Sequence, residues 1–166
     1  NNFLSALRIL KDKEKEFLAV LVGAEMDVDN GSLRSLINKY SLDNCVCLLG
    51  QRIDINAIMN AFDINVLSSY TEGFPNVVAE GMACGTPAVV TDVGDASFIV
   101  GDTGWVVPPK DSIALATALE SACLAMQDQI AWKSRCHAAR MRIVKNFSLE
   151  HMVRQYHDVW NSSKAI

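Results

Sequence analysis

Residues 64–90 contain the pattern that most constrains the fold of this chain. An apolar stretch at 64–67 leads into a turn rich in Ser and Gly, a segment with helical spacing starts at Pro75, and a second apolar stretch follows Gly85-Thr86-Pro87. Proline suits the first position of a helix because no N–H is lost there. Glycine just past a helix and proline soon after it are stop signals. The pattern therefore predicts a strand, a helix and a second strand, joined as a right-handed parallel crossover.

Apolar runs and helical spacing alternate through the rest of the chain as well. The continuous run at 17–23 is typical of a central parallel strand that is covered on both faces. Asp111 and Ser148 are suited to cap helices in the last third of the chain. The predicted fold class is α/β: a Rossmann-like, doubly wound parallel sheet with C-terminal helices, in which residues 1–166 form one domain. The predicted strands are 17–23, 45–50, 64–67, 87–91 and 105–107, and the predicted helices are 1–15, 32–40, 55–61, the segment from Pro75, 111–126, 128–146 and 148–162, with 111–166 as the terminal helices of the same domain.

Composition excludes some classes of function. A net charge of −4 argues against a nucleic-acid partner. No apolar run approaches the length of a membrane span. The five cysteines have no repeating spacing, and Cys45 and Cys47 have no histidine near them in sequence, so reduced, buried thiols are favoured over a metal site.

Ligands of open α/β sheets bind beyond the carboxyl ends of the strands. Here the loops that follow the predicted strands are 23–25, 50–53, 68–74 and 91–95, and together they are called the strand-end rim. Glu72 precedes the Pro75 helix and Glu80 lies inside it. The amides of Asn76, Val77 and Val78 should be free at the start of that helix, where anions bind. Two carboxylates beside an anion site can bind a polyol and a phosphate, and a nucleotide-sugar contains both.

The spacing of Glu72 and Glu80, with Glu-Gly-Phe-Pro before the helix and Glu-Gly-Met-Ala-Cys-Gly-Thr-Pro within and after it, resembles the Glu-x7-Glu signature of retaining glycosyltransferases with the GT-B fold, in particular family 4. The resemblance implies the C-terminal, donor-binding half of such an enzyme. The first strand of that half and its Arg/Lys loop have no match here, nor does the acceptor-binding half. The whole protein is expected to transfer a sugar from a UDP-sugar or GDP-sugar to a glycan or lipid-linked acceptor in polysaccharide biosynthesis, whereas the isolated chain should be inactive.

The resemblance also implies roles for particular residues. Glu80 would bind the ribose hydroxyls, and Glu72, assigned as catalytic, would bind hydroxyls of the donor sugar without acting as a nucleophile. No metal or other cofactor is implied, and the expected location is the cytoplasm, with the inner face of the membrane left open. The remaining donor-binding residues are Gly73 and Phe74 near the sugar, Asn76 and Val77 through amides aimed at the diphosphate, and Arg52 and Ile53 flanking the nucleobase.

Several of these assignments have plain structural alternatives. Phe74 could instead be a hydrophobic staple for the helix, Arg52 a solvated surface residue, and Ser69 a partner for loop amides. The basic run at 133–145 is either a solvated helix face or a membrane contact. For the whole protein, a non-catalytic nucleotide-binding module and a GT-B nucleotide-sugar epimerase remain as alternatives.

Overall fold

The structure is a computed structural model that describes residues 2–162, in which helices and strands alternate along most of the chain. Every predicted strand and helix is present, and a short helix after the fourth strand was not predicted. The predictions for residue 1 and for residues 163–166 lie outside the described residues. The elements are α1 Asn2–Asp12, β1 Ala19–Val22, α2 Gly31–Lys39, β2 Val46–Gly50, α3 Ile55–Asn60, β3 Asn65–Leu67, α4 Asn76–Ala83, β4 Ala88–Thr91, α5 Ala96–Val100, β5 Trp105–Val107, α6 Ser112–Ala125, α7 Gln129–Asn146 and α8 Leu149–Ser162.

The strands form two parallel sheets rather than the single sheet that was predicted. β1 pairs with β2, with Ala19 opposite Val46. β4 lies between β3 and β5 in the second sheet. Among residues 2–162, no strand pairing joins β1 or β2 to the strands of the second sheet.

β4 is the centre of the three-stranded sheet, and all four of its residues are buried. Successive side chains of a strand point to opposite faces. Val89 accordingly joins the apolar cluster built by α1 and α6, whereas Ala88 and Val90 join the cluster that includes residues of α4, α5 and α7. Helices therefore cover both faces of this sheet, which confirms the doubly wound α/β class.

The first sheet is less deeply buried than the sequence predicted. The apolar run at 17–23 was expected to be covered on both faces, but β1 is limited to Ala19–Val22 and only Ala19 in it is buried. Leu18, just before the strand, is 67% exposed. Residues of both sheets nevertheless pack against the cluster that α1 and α6 help to form, Leu21 and Val66 among them.

The caps of the terminal helices follow the sequence prediction. The carboxylate of Asp111 accepts hydrogen bonds from the amides of Ile113 and Ala114 at the start of α6, and the hydroxyl of Ser148 accepts one from the amide of His151. α8 contributes no buried residue. Within residues 2–162, no helix is both long and apolar enough to cross a membrane.

Candidate functional site

The loop between β3 and α4 carries Glu72, and two hydroxyl groups order it. Thr91, buried at the end of β4, donates a hydrogen bond to the carbonyl of Ser69 at 2.8 Å. The hydroxyl of Ser69 in turn donates to Oε1 of Glu72 at 2.7 Å. The sequence left open a structural role in which Ser69 binds loop amides. In the structure its hydroxyl binds the carboxylate itself, and this orients Glu72 while leaving it exposed to solvent.

The turn after β4 supports the same loop from the other side. Gly94 has a φ of +52°, and a Cβ at this position would lie 2.8 Å from the carbonyl carbon of Glu72 and closer still to the oxygen of Gly73. The amide of Asp95 donates to that Gly73 oxygen at 2.8 Å. A side chain at position 94 would both strain the backbone and displace the loop. Glycine at position 94 therefore lets two loops of the strand-end rim touch.

α4 begins one residue later than predicted. Pro75 is the N-cap, in an extended conformation, and Asn76 is the first helical residue. Of the three amides expected to be free, that of Val78 donates to the carbonyl of Pro75 at 3.0 Å. The exposed Asn76 and Val77 remain at the first turn, where amides lack intrahelical acceptors. Glu80 is also exposed, a little over one turn into the helix. The start of α4 thus presents backbone donors and one carboxylate to solvent.

Phe74 packs in a way that the sequence did not indicate. Its ring centroid lies 6.0 Å from that of Phe147, at the end of α7, and Phe147 also meets Phe98 of α5 edge-on at 5.5 Å. The predicted staple within α4 was local, whereas this contact joins residues 73 positions apart in sequence. The aromatic cluster ties the Glu72 loop to the end of α7.

Arg52 and Ile53 follow β2 on the other sheet and are exposed. The side chain of Arg52 donates two hydrogen bonds to the carboxylate of Asp54, both at 2.8 Å. These bonds and the adjacent charge raise the pKa of Arg52 and lower the pKa of Asp54. Ile53 is fully exposed. No hydrogen bond or ion pair found among residues 2–162 joins Arg52 to the Glu72 loop, so the structure does not bring these two parts of the predicted site into direct contact.

The cysteines are free but less buried than predicted. Four of the five are partly buried and Cys123 is exposed. Burial raises the pKa of the Cys123 and Cys136 thiols, which disfavours the reactive thiolate. In the described part of the chain, no three His, Cys, Asp or Glu side chains gather as metal ligands.

Three arginines in the basic run at 133–145 donate hydrogen bonds to backbone carbonyl groups. Arg142 donates to the carbonyls of Ile99 and Phe98 at 2.8 and 2.6 Å, and Arg140 donates to the carbonyl of Ala83. Arg135 donates to the carbonyl of Thr103 at 3.1 Å and lies over the ring of Trp105. The interpretation of this run as a wholly solvated face was therefore wrong for these three arginines.

A cavity of about 450 Å³ lies away from the strand-end rim, between the turn before β5 and helices α6 and α7. Its lining includes Asp128, whose carboxylate already caps α7, and Arg135, which is bound to Thr103. None of its lining residues is a predicted site residue. The geometry of the loops around Glu72 is therefore a better guide to the candidate site than the cavity is.

The fold defines a class of protein: the doubly wound α/β domains, in which ligands commonly bind at the carboxyl ends of the strands. The sequence profile described as Glycosyl transferases group 1 matches residues 1–124. The chain belongs to this family.

Two relatives with similar sequences are named as a putative glycosyltransferase and a synthase. The chain is 31% identical over 133 residues to the putative colanic acid biosynthesis glycosyltransferase WcaL of Salmonella typhimurium, a match that covers 74% of this chain and 32% of that protein. It is 26% identical over 131 residues to the N-acetyl-alpha-D-glucosaminyl L-malate synthase of Bacillus anthracis, covering 78% of this chain and 34% of that protein. The match thus spans about a third of each relative's length.

Solved structures show the same fold. A glycosyltransferase from Rickettsia africae superposes with a TM-score of 0.84 at 26% identity, covering 97% of this chain and 43% of that one. Anabaena HepE, solved in complex with UDP, superposes with a TM-score of 0.80 at 26% identity, covering 97% of this chain and 44% of that one. These neighbours confirm the predicted resemblance to the C-terminal domain of a GT-B glycosyltransferase.

Proposed function

We propose that this chain is the donor-binding part of a retaining glycosyltransferase that transfers a sugar from a nucleotide diphosphate sugar, such as a UDP-sugar or GDP-sugar, to a glycan or lipid-linked acceptor. The observation that carries the proposal is the pair of carboxylates around the start of α4: Glu72 is held by the Ser69 hydroxyl at 2.7 Å, and the exposed Glu80 follows the first-turn amides. A related structure, Anabaena HepE, was solved with UDP, and this supports UDP as the first nucleotide to test.

Each group on the rim has a chemical task in this proposal. A carboxylate offers two acceptors to two hydroxyl donors, so Glu80 binds the ribose diol and Glu72 binds hydroxyls of the transferred sugar. The amides of Asn76 and Val77 bind the diphosphate, where the positive end of the α4 dipole favours negative charge. Stabilisation of the leaving diphosphate in this way needs no metal.

The other predicted contacts complete the donor site. Gly73 and Phe74 approach the sugar, and the chain around Arg52 and Ile53 flanks the nucleobase. The acceptor is bound mainly by other parts of the whole protein. Free thiols are typical of a reducing compartment, so we place the protein in the cytoplasm, where peripheral contact with the inner face of the membrane would give access to a lipid-linked acceptor.

Ligand-observed NMR on the complete protein, with UDP, GDP, ADP and their common sugars, tests the donor site. We expect selective binding of one nucleotide. Glu80→Ala should weaken that binding by about 1–3 kcal/mol, the scale of hydrogen bonds to a charged group, with little change in Tm because the side chain is exposed. Glu150→Ala is the matched control, because Glu150 is an exposed glutamate in the first turn of another helix.

Four outcomes would contradict parts of the proposal. Equal affinity in Glu80→Ala would show that the ribose assignment is wrong. No binding of any nucleotide would show that the donor-site assignment is wrong, and nucleotide binding without sugar transfer would favour the non-catalytic nucleotide-binding module. Turnover of the nucleotide-sugar to an isomeric nucleotide-sugar without an acceptor would identify an epimerase instead.

A further inference from the structure

Asn65, the first residue of β3, has a buried amide side chain that reaches across to α4. The residue is 7% exposed, and its Nδ2 donates a hydrogen bond to the carbonyl of Val77 at 2.9 Å. Val77 lies in the first turn of α4, beside the amides of the candidate anion site. A buried amide is costly unless it is hydrogen-bonded, so this bond strongly favours one position of the helix on the strand.

Gly81, one turn further along α4, provides the space that the Asn65 side chain occupies. A Cβ at position 81 would lie 2.9 Å from Cγ and 3.2 Å from Cβ of Asn65, and closer still to its Nδ2. Glycine is a weaker helix former than alanine. Its presence inside a short helix is therefore explained by the amide that packs against it.

The remaining contacts of α4 with the core are mainly apolar. Val78 and Met82 are fully buried in the cluster that also contains residues of β4, α5 and α7. Apolar packing is not directional, so by itself it tolerates a small slide of a helix along its axis. Among residues 2–162, the other side-chain hydrogen bond to the α4 backbone from a neighbouring element is that of Arg140 to Ala83, which is exposed and lies at the far end of the helix.

We infer that Asn65 is a positioning residue: through its bond to Val77 and its fit against Gly81 it sets the axial position of α4, and with it the places of Glu80 and of the first-turn amides. The role in ligand binding rests on the proposed function. Asn65 touches no ligand, and its effect on affinity is transmitted by the helix, because a small misplacement of binding groups weakens every contact that they make.

The test separates positioning from packing with two variants of the complete protein. Asn65→Ala removes the hydrogen bond and leaves a gap. Asn65→Ala combined with Gly81→Ala refills part of the gap with a methyl group and restores helix propensity, but it does not restore the hydrogen bond. Asn60→Ala is the matched control, since its exposed amide donates at 2.8 Å to the carbonyl of Asn56 within α3. The readouts are Tm, affinity for UDP and for the other nucleotides by calorimetry, and crystal structures without ligand.

We expect the double variant to regain most of the Tm lost in Asn65→Ala while its nucleotide affinity stays about fivefold below that of the wild type, because the displaced amides and carboxylate of α4 contact the nucleotide less well. Recovery of affinity together with Tm would show that Asn65 only packs, and would overturn the inference. If the wild type binds no nucleotide, the proposed function fails, and the crystal structures decide: a shift of α4 along β3 in the double variant supports the positioning role, and an unmoved α4 overturns it.

Discussion

Small polar side chains at the end of β3 and β4 determine how the carboxylate of Glu72 is presented. Thr91 binds the Ser69 carbonyl and Ser69 binds the carboxylate, so Glu72 is linked to a strand that is buried throughout. A hydrogen bond from a hydroxyl donor restricts the rotamers of the carboxylate that accepts it. At the scale of single residues, the candidate site contains a carboxylate that is held by a hydroxyl group and exposed to solvent.

Replacing Ser69 with alanine should therefore affect sugar transfer more than nucleotide binding. We expect Ser69→Ala to lower kcat of the complete protein about fivefold, the equivalent of one hydrogen bond, while the affinity for the free nucleotide is unchanged because Glu80 is untouched. Steady-state kinetics and nucleotide titration measure the two effects separately. Ser121→Ala is the control, since that hydroxyl donates to the carbonyl of Thr117 on α6, on the exposed surface. Equal losses of kcat and nucleotide affinity would contradict the assignment of Glu72 to the sugar.

Gly94 is expected to tolerate no side chain. Gly94→Ala should lower the free energy of unfolding by about 1–3 kcal/mol, because alanine strains the positive φ and its methyl would collide with the backbone of Glu72 and Gly73. Urea denaturation measures the change. Gly31→Ala is the matched control, since a Cβ there meets no atom within 4 Å and alanine favours the helix. Equal stability of the two variants would contradict the close packing of the Gly94 turn against the Glu72 loop.

At the scale of elements, α7 acts as a source of caps for its neighbours. The last carbonyls of a helix have no intrahelical donors, and Arg142 and Arg140 supply donors to the ends of α5 and α4. Cations at these positions also favour the negative end of the helix dipole. The basic run is thus mainly a means of attaching α7 to the strand–helix units that carry the rim.

The two bonds of Arg142 predict a cost for its removal. Arg142→Ala should lower the free energy of unfolding by about 1–2 kcal/mol, because two carbonyls lose a charged donor. Lys145→Ala, an exposed change in the last turn of the same helix, should leave stability within about 0.5 kcal/mol of the wild type. Thermal and urea denaturation compare the two. A Lys145→Ala variant as destabilised as Arg142→Ala would indicate that only the charge of α7 matters.

At the scale of the whole molecule, a cluster of ion pairs joins the segment that follows α1 to helix α6. Glu120 accepts from Lys13 at 2.6 Å and lies 3.3 Å from Lys15, both in the segment that follows α1. A hydrogen bond from Lys13, which has the larger effect, and one from Lys15 lower the pKa of the Glu120 carboxyl. Residues of α1 and α6 belong to one apolar cluster, and residues of both sheets pack in the same cluster.

The lowered pKa predicts how this contact depends on pH. A carboxyl with a depressed pKa in the folded state contributes stability above its ordinary value of 4.5, and the contribution is lost as pH falls through the folded-state pKa. The stability difference between the wild type and Glu120→Gln should therefore be largest near neutral pH and shrink progressively below about pH 4.5. Denaturant titrations from pH 7 to pH 3 measure it, with Glu150→Gln as the control. A difference that stays constant over this range would contradict the ion-pair assignment.

Local sequence determined the element order, the caps of α6 and α8 and the loop that carries Glu72, because periodicity, turn residues and capping bonds involve neighbours along the chain. The same local signals made β1 look more buried than it is and left α5 unpredicted, since burial depends on what packs against a segment.

Tertiary structure alone decided the contacts that orient the candidate site. Ser69 with Glu72 is a short-range pair, yet its geometry depends on Thr91, which is 22 residues away. The fit of Asn65 against Gly81, the approach of Gly94 to Gly73 and the caps from α7 join elements that meet only when the sheet and helices pack. The partner of each of these residues is determined by packing of the whole chain. A hydrogen bond or the absence of a side chain then fixes the geometry of the contact.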